Sequence, residues 1–314
     1  MAGDRKIAVG MVLFEPDNIL RFRECLNALM IQADKIYIFD NSVNKADIEF
    51  PESVVYKTEH ENKGIAYALN QIFLMAEKDG YEWVITMDQD SVLPGGMIEK
   101  YGEVIDKGIQ IGIVCPQVID KRRAYMTVKK DPVYEYIDAC ITSASCTSVM
   151  AWKKIGGFDE WMFIDLVDNE FCKRLTVSGY KILRLNEFVL DQEFGKIVPK
   201  SYKKQQFWIW LSKCLHIENI AKFSYKKYVS PMRVYYTNRN IIYVNKKMKK
   251  YGSVGYECYN CKNYIGFIFS FMLPSIMRAR QKLTVLRATV RGIWDGCRKQ
   301  VVLWEMNADS TKVI

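Results

Sequence analysis

The stretch WVITMDQDS, residues 83–91, determines how the rest of this chain is interpreted. WVITM has the pattern of a buried strand, and the strand stops at Asp88 and Asp90. Parallel α/β sheets bind their ligands beyond the carboxyl ends of the strands. Two carboxylates repel a diphosphate directly, but they can hold it through a divalent cation with oxygen ligands. An Asp-x-Asp turn is often no more than a solvated turn, so this interpretation depends on what the neighbouring strands carry.

The segments around this strand alternate between short apolar runs and helical patterns. Such alternation is typical of a mostly parallel sheet covered by helices. After Pro199 the composition shifts to lysine and aromatic residues, so we predict an α/β catalytic domain over residues 1–199 and a helical region over residues 200–314. Further strands are predicted at Ile7–Phe14, Lys35–Phe39, Val54–Lys57 and Ile111–Cys115, and helices at Ile19–Met30 and Ile65–Glu77.

The ends of the other strands carry carboxylates but no phosphate-binding loop. Phe14-Glu15-Pro16-Asp17 follows the first strand without a GxGxxG, and no GxxxxGK[ST] occurs, which argues against nicotinamide, flavin and P-loop enzymes. Asp40 follows the second strand. A single carboxylate is a poor metal site and is better suited to accept a hydrogen bond from a nucleotide base. Asp40-Asn41-Ser42 is also ordinary turn chemistry, but its place at a strand end favours the functional interpretation.

Composition limits the partners and the compartment. The 314 residues carry a net charge of +9, and the pI is near 8.9. This favours anionic partners, namely phosphate-bearing substrates, nucleic acid or an acidic membrane leaflet. Nine irregularly spaced cysteines and a start without a secretory leader predict a cytoplasmic protein. The lone Cys258-x-x-Cys261 pair is interpreted as structural, because no second pair follows at zinc-finger spacing.

The order of short motifs along the chain resembles glycosyltransferase family 2, and within it the bacterial rhamnosyltransferase-like branch. The resemblance implies the α/β GT-A fold, a single mixed, mostly parallel sheet flanked by helices, here with a C-terminal helical, membrane-associating extension. The matching pieces are Phe14-Glu15-Pro16, Asp40-Asn41-Ser42, Asn62-Lys63-Gly64-Ile65-Ala66 with Asn70, Met87-Asp88-Gln89-Asp90-Ser91, Gly156-Gly157-Phe158-Asp159-Glu160, Phe163-Ile164-Asp165, Val167-Asp168-Asn169-Glu170, and Arg233 with Tyr235, Tyr236, Arg239 and Asn240.

The resemblance implies a role for each matching position. Asp168 takes the place of the general base. The acceptor side is assigned Glu170, Asp165 and Trp161. The nucleotide-sugar side is assigned Phe14, Glu15, Asp40, Asn62, Lys63, Gly64, Asn70, Asp88, Gln89, Arg233 and Arg239, with Phe14 against the base.

The implied cofactor is Mn²⁺ or Mg²⁺, with Asp90, Asp88 and Gln192 as the predicted ligands. Gln192 stands where the family often has a histidine, and Asp191 and Glu193 are alternatives for this third ligand. A glutamine oxygen suits a hard cation.

Two of these assignments have structural alternatives. Asp168 and Glu170 fall in the first turn of a predicted helix, where carboxylates also act as plain N-terminal caps. Arg233 and Arg239 lie on one predicted helix, and they could either pack within the protein or bind a donor or acceptor diphosphate.

The implied activity is an inverting, metal-dependent transfer of a sugar to a polyprenyl-diphosphate-linked glycan of bacterial O-antigen or capsule synthesis. The branch predicts dTDP-L-rhamnose as donor, and a UDP-sugar such as UDP-galactofuranose is the alternative. A non-catalytic membrane-associated scaffold would lack Asp40, Asp88, Asp90 and Asp168, all of which are present. No nucleic acid is expected as a partner, since no RNA or DNA motif occurs. Oligomeric state is left open, a homo-oligomer included.

The C-terminal region carries an apolar stripe at helical spacing between Ile276 and Trp294. Arg280, Arg287 and Arg291 flank the stripe, as in helices that lie in a membrane interface. An ordinary docked helix gives the same pattern. We predict peripheral attachment to the inner face of the cell membrane.

Overall fold

The chain is described by a computed structural model that covers residues 6–16, 18–44, 48–105 and 110–306. Asp17, quoted above, lies outside these residues. The strands are β1 (Ile7–Leu13), β2 (Ile36–Asp40), β3 (Val54–Thr58), β4 (Trp83–Asp88), β5 (Ile111–Ile119), β6 (Tyr134–Ile137), β7 (Ser145–Ser148), β8 (Lys181–Asp191), β9 (Ile197–Pro199) and β10 (Tyr225–Lys227). The helices are α1 (Ile19–Met30), α2 (Ile65–Lys78), α3 (Met97–Ile105), α4 (Val149–Lys154), α5 (Val167–Val177), α6 (Tyr202–Leu215), α7 (Pro231–Lys247), α8 (Tyr264–Phe267), α9 (Leu273–Arg278) and α10 (Lys282–Arg298).

The main sheet has the strand order β3-β2-β1-β4-β7-β5-β8-β6, and β9 and β10 form a separate pair. The pairs β1–β2, β2–β3, β1–β4 and β5–β8 are parallel, whereas β6 and β7 run antiparallel to their neighbours. The predicted mixed, mostly parallel sheet of the GT-A type is therefore confirmed. In the register, Leu13 lies opposite Asp40 and Val12 opposite Asp88, so β2 and β4 end at one edge of the sheet on either side of β1.

Both faces of the sheet are covered, as the strand sequences require. β1 is apolar at six of its seven positions and buried throughout, because alternate side chains enter opposite cores. Ala8 and Val12 pack on the side of α2, α5 and α7, while Val9 and Met11 pack on the side of α1 and α3. Gly10 lets α2 approach β1 closely, since a Cβ atom there would lie 2.1 Å from Ile72 Cγ2.

The region after residue 199 shares the core of the preceding domain. Ile241 and Val244 of α7 lie fully buried in the same cluster as Leu69 of α2 and Phe171 of α5. Helix α7 thereby brings Arg233 and Arg239 against the loop that precedes α5.

Helix α10 packs on α7 through small residues and leaves its large apolar residues outside. Its buried positions are Val285, Thr289, Gly292 and Gly296. The predicted stripe is exposed on α10 at Leu283, Leu286 and Val290, whereas Ala279 before the helix is buried. Among the described residues, no helix combines the length and the apolar character needed to span a bilayer.

The close contact between α10 and α7 predicts that Gly292→Ala lowers the free energy of unfolding, whereas a glycine substitution outside this contact does not. Gly292→Ala should destabilise the protein by about 1–3 kcal/mol, because the new Cβ would lie 2.4 Å from the Tyr235 backbone oxygen and the helices would have to separate. Gly102→Ala in α3 is the control, since its Cβ would meet nothing closer than 3.9 Å. Urea unfolding of both variants measures the difference, and equal stabilities would contradict the close helix contact.

Candidate active site

Asp88, Asp90 and Gln192 come together at the edge of the sheet where β4 ends. Gln192 donates a hydrogen bond from Nε2 to Asp88 Oδ2. Burial of Asp88, and then the charge of Asp90, raises the pKa of the Asp88 carboxyl to about 6. Asp90 itself is exposed. The predicted metal-binding trio thus lies within one small area, although Gln192 is 104 positions from Asp88 in sequence.

The chemistry of this trio fits a hard divalent cation. The side-chain oxygen of Gln192 is buried and has no hydrogen-bond partner in the part of the chain that the structure describes, so an electropositive ligand beside it would satisfy it. Two carboxylates and one amide oxygen are ligands that Mg²⁺ and Mn²⁺ accept, with the remaining positions left to water or phosphate. Within the described residues, no group of three or more His, Cys, Asp or Glu side chains could hold a metal. Gln192 would therefore be the third protein ligand of a cation held by Asp88 and Asp90.

Gln89 fastens the ends of β1 and β4 to each other. Its Nε2 donates to the Phe14 carbonyl at 3.0 Å, and its Oε1 accepts from the Phe14 amide at 2.7 Å. The Glu15 amide donates to Ser42 Oγ at 2.8 Å, which ties in the end of β2. With its backbone held in this way, the Phe14 ring stays 40% exposed. The structure places Phe14 and Glu15 at the predicted nucleotide side, while the Gln89 amide is occupied by the backbone.

Asp40 lies at the predicted strand end but is not presented to a ligand. Its side chain is fully buried. It accepts hydrogen bonds from the Ser42 amide at 2.9 Å and from the Tyr56 hydroxyl at 2.6 Å. In this conformation the Asp40 carboxylate is held by protein donors, and its contact with a nucleotide base stays a prediction.

The segment Asn62-Lys63-Gly64 forms the turn that leads into α2. Gly64 has φ 89°, and a Cβ atom on it would lie 2.6 Å from the Phe163 carbonyl oxygen, so glycine is required at this position. Asn62 accepts from the Gly64 amide at 3.1 Å. The Lys63 ammonium is paired with Glu59 at 2.6 Å. The Lys63 ammonium would have to leave Glu59 before it could bind a phosphate.

Asn70 holds a turn of the protein and does not contact the cleft. Its amide oxygen accepts from the Phe158 amide at 2.8 Å and from Trp152 Nε1 at 3.1 Å. Its amide nitrogen donates to the Phe158 carbonyl at 2.9 Å and to Glu160 at 2.8 Å. Both polar atoms of this buried side chain are engaged within the protein, and the nucleotide-binding role of Asn70 stays a prediction.

Asp168 lies in the first turn of α5 at the wall of a cleft of about 350 Å³. Burial raises the pKa of its carboxyl to about 7, and hydrogen bonds from backbone amides, among them that of Asn169 at 3.0 Å, offset only part of this. A carboxyl with this pKa can accept a proton near neutral pH. The cleft is lined by Ile65, Leu69, Thr142, Asp165, Leu166, Val167, Asp168, Asn169, Phe194, Arg233, Cys258 and Tyr259.

The loop before α5 has an unfavourable backbone that α7 holds in place. Phe163, Asp165 and Leu166 have φ values of 57°, 66° and 63°, which non-glycine residues rarely adopt. The side-chain amide of Asn240 on α7 donates to the backbone oxygens of Met162, Ile164 and Asp165 at 2.7, 2.8 and 2.9 Å. These bonds orient the chain immediately before Asp168.

Arg233 and Asp165 form a charged pair at the cleft. The Arg233 guanidinium donates to both carboxylate oxygens of Asp165, at 3.0 Å from Nε and by a second bond from Nη2. Thr237, one turn further along α7, also donates to Asp165 at 3.2 Å. The charge of Arg233 acts on Asp88 as well, where it lowers the pKa of the carboxyl against the larger effects of burial and Asp90. Arg233 is therefore close enough to Asp88 to influence its carboxyl, and it lines the same cleft as Asp168.

Three other predicted residues serve the interior instead of the cleft. Glu170 is fully buried and paired with Arg174 at 2.6 Å and Lys247 at 2.7 Å, and its acceptor contact stays a prediction. Arg239 is 9% exposed and lies 3.9 Å from the Trp161 ring centroid, so the packed-helix alternative holds for it. Trp161 also packs against Tyr243, with ring centroids 4.3 Å apart. Trp161 remains partly exposed beside these neighbours, and its acceptor contact stays a prediction.

Sequence reasoning missed several residues of the cleft. Cys258 accepts a hydrogen bond from Asn169 Nδ2 at 3.1 Å, while Cys261 donates to the Tyr256 carbonyl, so the two thiols have different partners. Tyr259, which lies between them in sequence, is a further lining residue, as are Thr142 and Phe194. No local pattern marks these residues, since they come from separate loops that meet only in the folded chain.

Comparisons with known proteins place part of this sequence in a described family. Residues 15–148 match the sequence model of the family described as Glycosyl transferase family 2. The chain is 28% identical over 179 residues to the dTDP-rhamnosyl transferase RfbF of Shigella flexneri. The match covers 49% of this chain and 59% of that relative's length. The resemblance stated above is thereby confirmed.

Two solved structures are similar in outline. The crystal structure of GalNAc-T7 with UDP, GalNAc and Mn²⁺ has 11% identity and a TM-score of 0.49, over 86% of this chain and 57% of that one. The mannosyltransferase PcManGT from Pyrobaculum calidifontis, in complex with GDP-Man and Mn²⁺, has 14% identity and a TM-score of 0.48, over 94% and 89%.

The raised pKa of Asp168 predicts a pH-dependent gain in stability on its removal. The carboxyl binds its proton more tightly when folded than when unfolded, where the pKa is 3.8, so wild-type stability falls as the pH rises from about 4 to about 7. Asp168→Asn lacks this loss and should melt a few degrees higher at pH 8, with the difference vanishing near pH 4. Thermal melts across this range measure it. A variant less stable than wild type at pH 8 would contradict the assigned environment.

Proposed function

We propose that this glycosyltransferase family 2 chain is a metal-dependent, inverting transferase that moves a sugar from a nucleotide donor onto a glycan acceptor. The observation that carries the proposal is the pairing of two dissimilar carboxyl sites around Arg233. One side offers Asp88, exposed Asp90 and the unpartnered oxygen of Gln192. The other offers Asp168, whose carboxyl titrates near neutrality at the wall of the cleft.

The chemistry divides between these two sides. Asp88, Asp90 and Gln192 would hold Mn²⁺ or Mg²⁺, which when bound supplies positive charge beside a departing diphosphate. Asp168 orients the acceptor hydroxyl and accepts its proton as that oxygen attacks the anomeric carbon. Arg233 holds Asp165 at the cleft wall, and the Asn240 bonds keep the approach to Asp168 fixed. One displacement by the acceptor oxygen inverts the configuration at the anomeric carbon.

The best-supported donor is dTDP-L-rhamnose, on two grounds. The motif order is that of the rhamnosyltransferase-like branch, and the similar Shigella flexneri protein is described as a dTDP-rhamnosyl transferase. A UDP-sugar is the alternative within the same chemistry. The acceptor we propose is a lipid-linked glycan of a bacterial surface polysaccharide, since helix α10 gives the chain a surface suited to a membrane.

The outer face of α10 combines an apolar stripe with a row of arginines. Leu283, Leu286, Val290 and Trp294 are 43–71% exposed and project away from the buried glycine side of the helix. Arg287, Arg291 and Arg298 are exposed along one edge of this stripe. Apolar side chains bordered by arginines suit the surface of an anionic leaflet, which would place this protein peripherally at the cytoplasmic membrane.

The donor assignment is tested by thermal stabilisation with nucleotides. We expect dTDP and dTDP-rhamnose to raise the melting temperature of wild type with Mn²⁺ or Mg²⁺, and Asp90→Ala to lose the metal-dependent part. Asp168→Asn should keep the stabilisation yet lose at least a hundredfold in transfer of labelled sugar to bacterial lipid extract. Stabilisation by UDP-sugars alone would change the donor, and no stabilisation by any nucleotide would overturn the enzyme assignment.

The membrane assignment is tested by co-sedimentation with vesicles. Wild type should bind vesicles that contain anionic phospholipid and release them at high salt, while Leu283→Ser/Val290→Ser should lose at least tenfold in partitioning. Val198→Ser/Met150→Ser is the matched control, because both of its residues are exposed apolar side chains outside α10. Equal partitioning of both double variants would argue against α10 as the docking face, and self-association of wild type without lipid would indicate a protein interface.

A further inference from the structure

Four basic side chains gather around the short β9–β10 pair beside the cleft. Arg123 comes from the loop after β5, and Lys222 from the turn of helix before β10. Lys227 ends β10, and Arg278 ends α9. We refer to these four residues as the basic cluster.

Aromatic rings connect the members of the basic cluster. The Arg123 guanidinium lies 5.2 Å from the Phe194 ring centroid and 5.3 Å from that of Tyr225. Tyr225 and Lys227 are two residues apart on β10 and so lie on the same face of the strand. The Arg278 guanidinium lies 4.5 Å from the ring of Phe223, the neighbour of Lys222 in sequence.

Few carboxylates offset this positive charge. Arg123 pairs with Asp120 at 3.2 Å, but in the described ranges of the chain no ion pair is formed by Lys222, Lys227 or Arg278. The Lys222 ammonium has an amide partner, Asn219 Oδ1 at 2.6 Å. Burial, followed by the charges of Lys227, Arg123 and Arg278, lowers the pKa of Lys222 to about 8. Like charges held together in this way destabilise the fold, and a bound anion would relieve the repulsion.

The basic cluster continues the wall of the cleft. Phe194, on which Arg123 lies, lines the cleft, and so does Arg233. Burial, followed by the charges of Arg123 and Arg233, lowers the pKa of the Lys227 ammonium, and the charge of Asp165 opposes this. Arg233 and Asp165 of the cleft therefore lie near Lys227. A ligand in the cleft can therefore reach Asp168 with one part and the basic cluster with another.

We propose that the basic cluster binds a diphosphate group, namely the diphosphate of the lipid-linked acceptor. Guanidinium and ammonium groups are the side chains that bind phosphate oxygens most strongly. The donor's diphosphate has its own place at Asp88, Asp90 and Gln192, so this cluster is left for a second diphosphate. The proposal rests on the proposed transfer to a lipid-linked glycan.

The test uses inorganic pyrophosphate as probe, titrated calorimetrically into the full chain at pH 7 with EDTA present. Wild type should bind, and Lys222→Gln/Lys227→Gln should bind at least tenfold more weakly. The control Lys203→Gln/Lys204→Gln removes the same charge from exposed positions of α6 and should stay within twofold of wild type. Lys227→Gln alone, at an exposed position, should show a loss of intermediate size and guards against misfolding of the double variant.

A second titration, with dTDP and Mn²⁺, distinguishes the two sources of diphosphate. The double variant should bind dTDP as wild type does. A tenfold loss of dTDP affinity would assign the basic cluster to the donor and overturn the acceptor assignment, and equal pyrophosphate affinity in wild type and double variant would overturn the site itself. If dTDP binds neither protein, the dTDP-rhamnose donor assignment fails, while the pyrophosphate result still decides whether the basic cluster is an anion site.

Discussion

The side-chain amide of Asn240 is the interaction on which the arrangement of the cleft depends. Its bonds to three successive parts of one loop hold backbone that would otherwise leave the left-handed region, at a cost of roughly 1–3 kcal/mol for each such residue. The loop then delivers Asp165 to Arg233 and starts α5 so that Asp168 faces the cleft. Helix α7, from the second half of the chain, is therefore as much a part of the site as the sheet is.

A buried network of charged side chains between α5 and α7 supports the Asn240 hydrogen bonds. Lys247 on α7 pairs with Glu170 on α5 at 2.7 Å and with Asp159 at 2.5 Å, and Arg174 donates to the Gly157 carbonyl at 2.7 Å. Buried ion pairs of this kind contribute little net stability, because desolvation offsets their attraction. Their geometry is nevertheless restrictive, so they fix how α5 and α7 lie against each other. The carboxyl of Asp168, by contrast, accepts a hydrogen bond from the Asn169 amide and forms no ion pair among the described residues.

Local sequence was a good guide where a role depends on position along a strand. The apolar runs around Val9, Ile38 and Ile85 predicted buried strands, and Asp88 and Asp90 were correctly placed beyond one of them. For polar residues such as Asn70 and Glu170, local sequence did not show which contacts they make within the fold. Both residues stand in motifs shared with the family. In the fold, Asn70 hydrogen-bonds to the Phe158 backbone and Glu170 pairs with Arg174. Whether a polar side chain serves a ligand or the interior is decided by which other segments reach it.

The sequence alone determined the sheet, its helical cover and the two carboxylates at the end of β4, because hydrophobic periodicity and strand ends are local properties. The tertiary structure decided which of the predicted residues meet. It brought Gln192 to Asp88 across 104 positions of sequence, and it buried Asp40 and Arg239. It also placed Arg233 in the same cleft as Asp168, close enough to influence the Asp88 carboxyl. It also left the large apolar side chains of α10 exposed, since the glycines on its other side allow α7 to approach too closely for anything larger. Such contacts depend on side-chain volume and burial in three dimensions, and neither is encoded in any single segment.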